Sequence, residues 1–373
     1  MTSTAAAFIV RFVKILHVET GRHLYGGPQQ VIYLISALSE RGHDSTLVCP
    51  PDSGIDAAAR MAGMRVKNLF CAGDLDLPFA YRLAHYIQKT KPDLVHCHSR
   101  RGADVLGGLA ASFADVPAIV SRRVDNTEMR LMAALRYRPF EKIVAISAAI
   151  ADVLRERGVA DERIEVIRSA VDSARYAGSA DCAAFRSEFS IPDNVLVIAA
   201  AGQLIPRKGH RYLLQSVADI KQTHADIRLI IFGEGYLNNQ LRAQAASLGL
   251  GECVQFAGFR EDLDDYLACI DIFAHPALAE GLGVATLKAA AAGVPVVGFD
   301  AGGLGEAVID GGTGLLVARE NVAQLAKALV RLIDDKALRA RLGAAGRDRM
   351  QKEFSIATMA DRHITLYESV LNG

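Results

Sequence analysis

EGLGVATLKAAAAGVPVVGFDAGGLGEAVIDGGTGLLV, at residues 280–317, is the most informative stretch of this chain. It contains a β-rich apolar run, VPVVGFD, which is followed at once by the glycine pair Gly302-Gly303. In doubly wound folds, ligands bind beyond the carboxyl ends of strands, where glycine lets the backbone approach a phosphate. The simpler interpretation is that these glycines only close a strand-to-helix turn.

The same alternation of β-rich runs and helical patterns extends outward over the chain. The second half also contains the runs VLVIAAAG, RLIIFG, CVQFAG and IDIFAHP. The first half has its own series, which is KILHVE, DSTLVCP, DLVHCH, PAIVSR and KIVAIS, and a helix is predicted from about Pro28 to Arg41. Two such series predict an α/β protein with two doubly wound, Rossmann-like parallel sheets.

The length of 373 residues favours two domains, with a single large α/β domain as the alternative. We predict an N-terminal domain over residues 1–172, a polar linker region over 173–193 and a C-terminal domain over 194–353. Residues 354–373 should form a final helix that packs on one of the two domains. Its apolar face would consist of Met359, Ile364, Tyr367 and Leu371.

Charge, hydropathy and cysteine spacing give no indication of a nucleic-acid partner, a membrane-spanning segment or a cysteine metal site. The formal net charge is +0, so nothing in the overall charge indicates a nucleic-acid partner. No stretch reaches the roughly 18 to 20 apolar residues that span a bilayer, so membrane contact would be peripheral. The cysteines form no C-x-x-C pair, and we expect reduced core residues in a cytoplasmic protein. They are Cys49, Cys71, Cys97, Cys182, Cys253 and Cys269.

Taken together, these patterns resemble the retaining GT-B glycosyltransferases of family four, also called glycosyltransferase group 1. The resemblance runs over essentially the whole chain and is densest at residues 280–317. There the matching positions are Glu280-Gly281-x-Gly283, Gly293-x-Pro295, Gly302-Gly303, Glu306 and Gly314. Supporting pieces occur in the family's order, namely Gly26-Gly27, Pro92-Asp93, IEVIRSAVD at 164–172, GQLIPRKGH at 202–210 and FGEG at 232–235.

The resemblance implies two Rossmann-like domains that face each other across a cleft, with the final helix crossing back to the N-terminal domain. The second domain would bind a nucleotide-sugar donor, and the first a saccharide or lipid-linked acceptor. No cofactor is implied. The expected role is transfer with retention in bacterial surface polysaccharide or lipopolysaccharide synthesis, in the cytoplasm at the inner face of the membrane.

Two charged residues are the main catalytic candidates that the resemblance assigns. Lys208 matches the lysine that contacts the donor diphosphate, and neighbouring Arg207 would add charge. Glu280 matches the first carboxylate of an E-x7-E pattern, which contacts hydroxyls of the donor sugar. The plain alternatives are solvated loop cations and a carboxylate that caps the next helix. Backbone or loop contacts to the donor are expected from Gly26, Gly27, Gly281, Gly283, Gly302 and Gly303.

The donor pocket departs from the family pattern at two positions. Lys288 stands where the second glutamate of E-x7-E would accept hydrogen bonds from the ribose, which an ammonium cannot do. Gln203 stands where relatives have an arginine, so it brings a hydrogen bond but no charge. Three consequences stay open for Lys288: altered nucleotide recognition, a different donor, or lost activity.

The first domain departs as well. Many relatives carry Thr-x-His after the strand that reads PAIV here, whereas this chain has Ser121-Arg122-Arg123. Arg122 and Arg123 are candidates for sugar contacts on the acceptor side, although an arginine cannot act as a base. His98, which ends the DLVHCH run, is the nearest imidazole and the third catalytic candidate. A core or rim histidine is the alternative for it.

Basic residues recur from Arg100 to Lys142 and predict a basic rim for a phosphorylated saccharide or an anionic membrane, unless they form a solvated helix face. No D-x-D-like or histidine-rich loop is evident, so no metal is predicted. Two other functions remain open. The chain could be a catalytically silent partner of an active transferase, or it could be a sugar-nucleotide epimerase or phosphorylase on the same fold.

Overall fold

The computed structural model describes residues 12–98, 102–124, 128–178 and 180–373, which form two compact units. The first unit consists of the described residues up to Ile146, together with Ala151–Ile167 and Met359–Gly373. The second unit consists of Ser147–Ile150 and the described residues of Arg168–Thr358. The final helix therefore belongs to the first unit, and the stretch that we expected to be a linker belongs to the second.

A seven-stranded parallel sheet forms the centre of the described part of the first unit. Its strands are β1 (Lys14–Val18), β2 (Asp44–Cys49), β3 (Arg65–Asn68), β4 (Leu94–Cys97), β5 (Ala118–Arg122), β6 (Lys142–Ala145) and β7 (Ile164–Val166). Their order is β3-β2-β1-β4-β5-β6-β7. Strands β1, β4 and β5 are buried apart from Lys14, as expected for central strands that helices cover on both faces.

A six-stranded parallel sheet forms the centre of the described part of the second unit. Its strands are β8 (Leu196–Ala201), β9 (Ile227–Phe232), β10 (Val254–Gly258), β11 (Ile272–His275), β12 (Val296–Phe299) and β13 (Gly314–Val317). Their order is β10-β9-β8-β11-β12-β13. In both sheets the strand order reverses direction beside the first strand, so the predicted doubly wound α/β class is confirmed.

Helices fill the connections between the strands. In the described residues the α-helices are α1 (Gly26–Glu40), α2 (Gly54–Met61), α3 (Leu77–Thr90), α4 (Gly108–Phe113), α5 (Arg130–Tyr137), α6 (Ala148–Glu156), α7 (Cys182–Glu188), α8 (His210–Lys221), α9 (Asn238–Ser247), α10 (Leu263–Tyr266), α11 (Val284–Ala291), α12 (Leu304–Ala307), α13 (Val322–Asp334), α14 (Lys336–Glu353) and α15 (Ile356–Asn372). Of these described helices, none combines the length and the apolar character that crossing a bilayer requires.

The final helix, α15, packs on the first sheet with a face that differs from the predicted one. Met359 and Tyr367 are buried as expected, but Ile364 and Leu371 are partly exposed. His363 is buried instead, and the Tyr367 hydroxyl lies 2.8 Å from Nδ1 of His96 in β4. Leu366 and Ala360 are buried as well, so the buried face includes two apolar residues and one histidine that the predicted face left out.

The expectation that all six cysteines are reduced is wrong for two of them. Cys182 in α7 and Cys269 form a disulfide, with their Cα atoms 5.2 Å apart and 87 positions between them in the sequence. The other four cysteines remain thiols, and three of those four are buried. A sequence without C-x-x-C pairs did not reveal this bond, because its partners meet only when α7 packs beside the segment before β11.

The disulfide predicts a thiol count. The chain has six cysteines, of which four are thiols in the structure. Chemical titration of the denatured chain should therefore detect four thiols without reductant and six after reduction. The double variant Cys182→Ser/Cys269→Ser should give four in both conditions. Six thiols in the unreduced natural chain would show that the bond does not form.

Candidate active site

Lys208 follows β8 in a tight turn, Pro206–Lys208, that leads into α8. Gly209 ends this turn with a φ of 67°, and a Cβ there would lie 1.8 Å from the carbonyl oxygen of Pro276. Only glycine permits so close an approach with this backbone conformation. The turn is therefore pressed against the segment that follows β11, and Lys208 is directed towards residues of that segment.

Three side chains meet at this edge of the second sheet, and we call Lys208, His275 and Glu280 the Lys208 cluster. Lys208 Nζ donates to Glu280 Oε2 across 72 positions of sequence. His275 Nε2, at the end of β11, lies 3.0 Å from the same oxygen. The other carboxylate oxygen, Oε1, accepts the backbone N–H of Gly281 at 3.2 Å. The structure thus joins the two charged candidates of the sequence analysis.

The charges of this cluster are balanced in a mostly buried setting. The side chains of Lys208 and Glu280 are 14% and 13% exposed. Hydrogen bonding from His275 and the charge of Lys208 overcome the effect of burial and hold the pKa of Glu280 well below its ordinary range. Burial lowers the pKa of His275, and the adjacent carboxylate only partly opposes this. The site therefore presents a carboxylate, an ammonium and a neutral imidazole.

His275 was missed by the sequence analysis. It is the last residue of β11, and Glu280 follows five positions later. The signal was available, because polar residues at the carboxyl end of a parallel strand lie where doubly wound folds bind ligands. The IDIFAHP run was used only as a strand, so its terminal histidine received no role.

The predicted glycine turn packs directly on the backbone of Glu280. Gly302 has a φ of 56°, and a Cβ there would lie 2.1 Å from the Glu280 carbonyl oxygen. The N–H of Gly303 donates to that same oxygen at 2.9 Å. Gly283 precedes α11 as its N-cap. These contacts fix Glu280, so the glycines have a structural role whether or not they also contact a donor.

Lys288 belongs to an ion-pair network whose other members, Asp264, Asp265 and Arg175, are not part of the Lys208 cluster. Its Nζ donates to both carboxylate oxygens of Asp264, at 3.1 and 2.8 Å. Asp264 also pairs with Arg175 at 3.3 Å, and Arg175 donates to Asp265 at 2.8 Å. Lys288 is therefore neutralised within the chain. The role of the Gln203 side chain, which is exposed, and that of Arg207 stay predictions.

In the first unit, His98 follows β4 and is buried. Its Nε2 lies 2.9 Å from Nδ1 of His17 in β1. Burial lowers the pKa of His17 to about 3 and that of His98 well below its ordinary value, so both imidazoles are neutral. Contact between His98 and a sugar stays a prediction.

The two arginines of the first unit have different surroundings. Arg123 lies beside α1, with its Cδ 3.4 Å from where a Cβ of Gly27 would stand. Burial lowers its pKa to about 10, against the charge of Glu19. Arg122 is only 3% exposed and lies 3.5 Å from Glu128, in a buried ion network. Because Arg122 is buried and ion-paired, the geometry does not favour it as a sugar contact, and that role stays a prediction.

The remaining candidates of the first unit are the two glycines at the start of α1 and the residues of the predicted basic rim. Gly26 and Gly27 open α1, two residues before the predicted start at Pro28, because proline is tolerated in a first helical turn. Within the predicted basic rim, Arg136 pairs with Asp104 at 2.6 Å and with Glu128 at 2.9 Å. Arg100 and Arg101 lie outside the described residues. Part of the predicted basic rim is therefore neutralised by ion pairs within the chain.

Comparison with solved structures identifies the fold. A glycosyltransferase from Rickettsia africae ESF-5 matches with a TM-score of 0.87 and 19% identity, over 97% of this chain and 99% of that chain. Anabaena HepE, solved in complex with UDP and glucose, matches with a TM-score of 0.85 and 22% identity, over 96% of this chain and 100% of that one. The two parallel α/β sheets are those of the GT-B glycosyltransferase class.

Sequence comparison identifies the family. The model for "Glycosyl transferases group 1" matches residues 182–349, and the model for "Glycosyltransferase Family 4" matches residues 25–175. The lipopolysaccharide core biosynthesis glycosyltransferase LpsE of Rhizobium meliloti (strain 1021) is 27% identical over 362 residues, covering 96% of this chain and 99% of its own. The chain belongs to the group 1 glycosyltransferases, and the predicted family is confirmed.

The Lys208 cluster predicts how Glu280→Gln would change stability. The free energy of unfolding at neutral pH should fall by on the order of 3 kcal/mol, because Lys208 would be left buried without a counter-charge. The folded chain lowers the pKa of Glu280, so its carboxylate stabilises the fold above the ordinary value of 4.5 and loses this effect as the pH falls below it. Denaturant unfolding at several pH values should show that the difference in unfolding free energy between the natural chain and Glu280→Gln becomes smaller as the pH falls.

Glu261→Gln is the matched control, since Glu261 is exposed. It should leave the unfolding free energy within about 0.5 kcal/mol of the natural value. Equal stability of Glu280→Gln and the natural chain at neutral pH would show that the ion pair does not contribute.

Proposed function

We propose that this chain transfers a sugar from a nucleotide-sugar donor to a saccharide or lipid-linked acceptor, with retention of anomeric configuration. The observation that carries the proposal is the Lys208 cluster, which places an ammonium, a carboxylate and an imidazole at the carboxyl edge of a doubly wound sheet. The HepE complex with UDP and glucose supports a nucleotide-sugar donor. Likeness to LpsE supports an acceptor from lipopolysaccharide synthesis.

Lys208 is the residue that would stabilise the leaving group. Negative charge grows on the diphosphate as the sugar–oxygen bond breaks, and a fixed cation at that point lowers the barrier. An ammonium has three donors, and the contact with Glu280 uses one of them. Two donors therefore remain for phosphate oxygens. This cation could act without a metal ion on the diphosphate, as the sequence analysis expected.

Glu280 would bind the donor sugar rather than act as a base. Its lowered pKa keeps it ionised at neutral pH, so it can accept hydrogen bonds from sugar hydroxyls. Its backbone is held by the Gly303 N–H and its carboxylate by His275. Such a preformed acceptor orients the sugar at little cost in ordering.

The transfer step needs no protein base. The bond between the anomeric carbon and the diphosphate oxygen breaks, and the acceptor hydroxyl oxygen bonds to the same face of that carbon. The hydroxyl proton passes to an oxygen of the departing phosphate. Atoms and charge balance without a further reactant. Arg123 in place of a histidine is therefore compatible with transfer.

Lys288 need not abolish donor binding. Its ammonium is paired with Asp264, whose side chain is only 13% exposed and also pairs with Arg175. This pair offers a ribose both a donor and an acceptor, whereas a lone glutamate would offer acceptors alone. We therefore infer altered nucleotide recognition rather than lost activity.

Peripheral contact with an anionic membrane is part of the proposal, in a cytoplasmic protein at the inner face. Leu131 and Leu135 lie one turn apart on α5 and are 71% and 58% exposed. Met129 and Met132 extend this apolar surface, and Arg138 is exposed beside it. Exposed apolar residues next to a cation suit the boundary between lipid headgroups and acyl chains.

The donor site predicts loss of transfer on changing Lys208. We expect the purified natural chain, supplied with UDP-sugars or GDP-sugars and an acceptor lipid fraction, to release nucleoside diphosphate. Lys208→Ala should lower kcat at least about 100-fold, because the leaving group loses its cation. Nucleoside diphosphate and glycosylated product would be measured together, since an epimerase needs no acceptor and would yield no glycosylated product.

Lys352→Ala is the matched control and should keep the natural rate, because Lys352 is an exposed lysine of α14. No turnover and no binding of any tested nucleotide sugar would favour the catalytically silent alternative. Full activity of Lys208→Ala would exclude Lys208 from the mechanism.

The α5 surface predicts vesicle binding. The natural chain should sediment with vesicles that contain anionic phospholipid and should bind less as salt rises. Leu131→Ser/Leu135→Ser should weaken binding at least about tenfold, because the buried apolar area is lost. Met61→Ser, at a residue of α2 that is 90% exposed, is the control and should bind as the natural chain does. Equal binding of all three would place the contact elsewhere.

A further inference from the structure

Three histidines of the first unit meet on one face of its sheet, and we call His17, His96 and His98 the histidine cluster. His17 in β1 is the register partner of His96 in β4. His98 lies two residues beyond His96, so it points to the same side. All three are buried, and each offers a ring nitrogen within 4.8 Å of those offered by the other two.

Hydrogen bonds among neutral imidazoles leave some ring nitrogens of this cluster without a partner. Each neutral imidazole has one N–H and one acceptor nitrogen. The contact of 2.9 Å between His17 Nδ1 and His98 Nε2 uses one nitrogen of each ring. Within the described residues, His17 Nε2 and His98 Nδ1 have no hydrogen-bond partner, and neither has Nε2 of buried His363 nearby. A metal bound through the two nitrogens in contact would leave the outer nitrogens of His17 and His98 as N–H donors, so the close approach of the three rings, rather than the unpartnered atoms, is what supports a metal.

We propose that the histidine cluster binds one divalent transition-metal ion of the zinc type, through one nitrogen from each of His17, His96 and His98. Neutral imidazole is a preferred ligand of zinc, copper, nickel and iron, whereas magnesium and calcium prefer oxygen. Three histidines leave a fourth position of a tetrahedral zinc ion for a water or another ligand. The inference goes beyond the proposed function, because it concerns the first unit and does not depend on sugar transfer.

The distances are close to those of such a site. Zinc–nitrogen bonds of about 2.0–2.1 Å place two ligand nitrogens of one ion about 3 to 3.4 Å apart. His17 Nδ1 and His98 Nε2 already lie 2.9 Å apart, and an ion bound to both would replace their hydrogen bond. The limit of 4.8 Å for the whole set means that the three ligand nitrogens would have to close by less than about 2 Å.

The surroundings of His96 supply an orienting contact. Its Nδ1 lies 2.8 Å from the Tyr367 hydroxyl, and its Nε2 lies 2.8 Å from Oγ of Ser121. One of these contacts would give way to the ion, and the other would hold the ring, as partners of metal-bound histidines commonly do.

Nearby charge restricts which ions fit. Burial is the main cause of the lowered pKa of His96 and His98, and the Arg123 guanidinium adds to it, so its charge reaches the cluster and opposes a cation. Glu19, whose charge acts on Arg123 in the opposite sense, partly offsets it. Binding must therefore come from strong nitrogen–metal bonds rather than from general attraction of cations. This arrangement favours zinc-type ions over magnesium and calcium.

The test measures metal content in the full chain after removal of any purification tag and treatment with a chelator. Zinc should bind at about one equivalent per chain and survive gel filtration, whereas magnesium should not bind. His17→Gln and His98→Gln should each weaken zinc binding at least about 100-fold, because each removes a direct ligand. His85→Gln, at an exposed histidine of α3, is the control and should bind like the natural chain.

A second measurement avoids variants that fail to fold. X-ray absorption of the zinc-loaded natural chain should show three histidine nitrogens at about 2.0–2.1 Å. Zinc retention well below one equivalent in the natural chain, unchanged affinity in both cluster variants, or a coordination shell without histidine would each overturn the proposal. None of these readouts involves sugar transfer, so failure of the proposed function would not be mistaken for failure of the metal site.

Discussion

Both candidate sites depend on one constraint, the common direction of the strands in a parallel sheet. All carboxyl ends lie at one edge, so residues that follow neighbouring strands meet even when the sequence separates them widely. Lys208 follows β8 and His275 ends β11, and these strands are paired. His17 and His96 lie in paired strands of the other sheet. Register, rather than proximity in sequence, brings each cluster together.

The Lys208 cluster shows how this edge tolerates charge. A carboxylate as enclosed as Glu280 would normally take up a proton, because burial disfavours its ionised form. Here His275 and Lys208 reverse that effect. Gly302 presses against the backbone of Glu280, and the Gly303 N–H donates to its carbonyl oxygen, so both glycines limit the movement of that residue. The ionised carboxylate that the proposed sugar contact would use therefore exists before any ligand arrives, because contacts within the fold already stabilise it.

Central strands were predictable from the sequence, and some edge strands were not. Every β-rich run that we identified forms a strand, because a strand covered on both faces needs a continuous apolar run. The missed strands β3, β7 and β13 all lie at sheet edges. In β3 and β7 the residues are exposed or half-exposed, so RVKN and IEV carry little apolar signal. Edge strands are specified by pairing with a neighbour, which a local pattern cannot show.

Side-chain partners were harder to predict than positions. The sequence identified Lys288 as a departure from the family but could not show Asp264 opposite it, and it could not separate buried Arg122 from Arg123. Cys182 and Cys269 are separated by 87 positions, and nothing local marks them as a pair. In each case the partner comes from another element, so the contact exists only once the packing is known.

The histidines show the same limit most sharply. A search for a histidine-rich loop finds nothing, since His17 lies 81 positions before His98. However, the parallel pairing of β1 with β4 places His17 opposite His96 in register, and the two-residue repeat of a strand adds His98 to the same face. Any sheet that pairs these two strands in this register must gather the three imidazoles. Their clustering is therefore a property of the topology and requires no further interaction to hold them together.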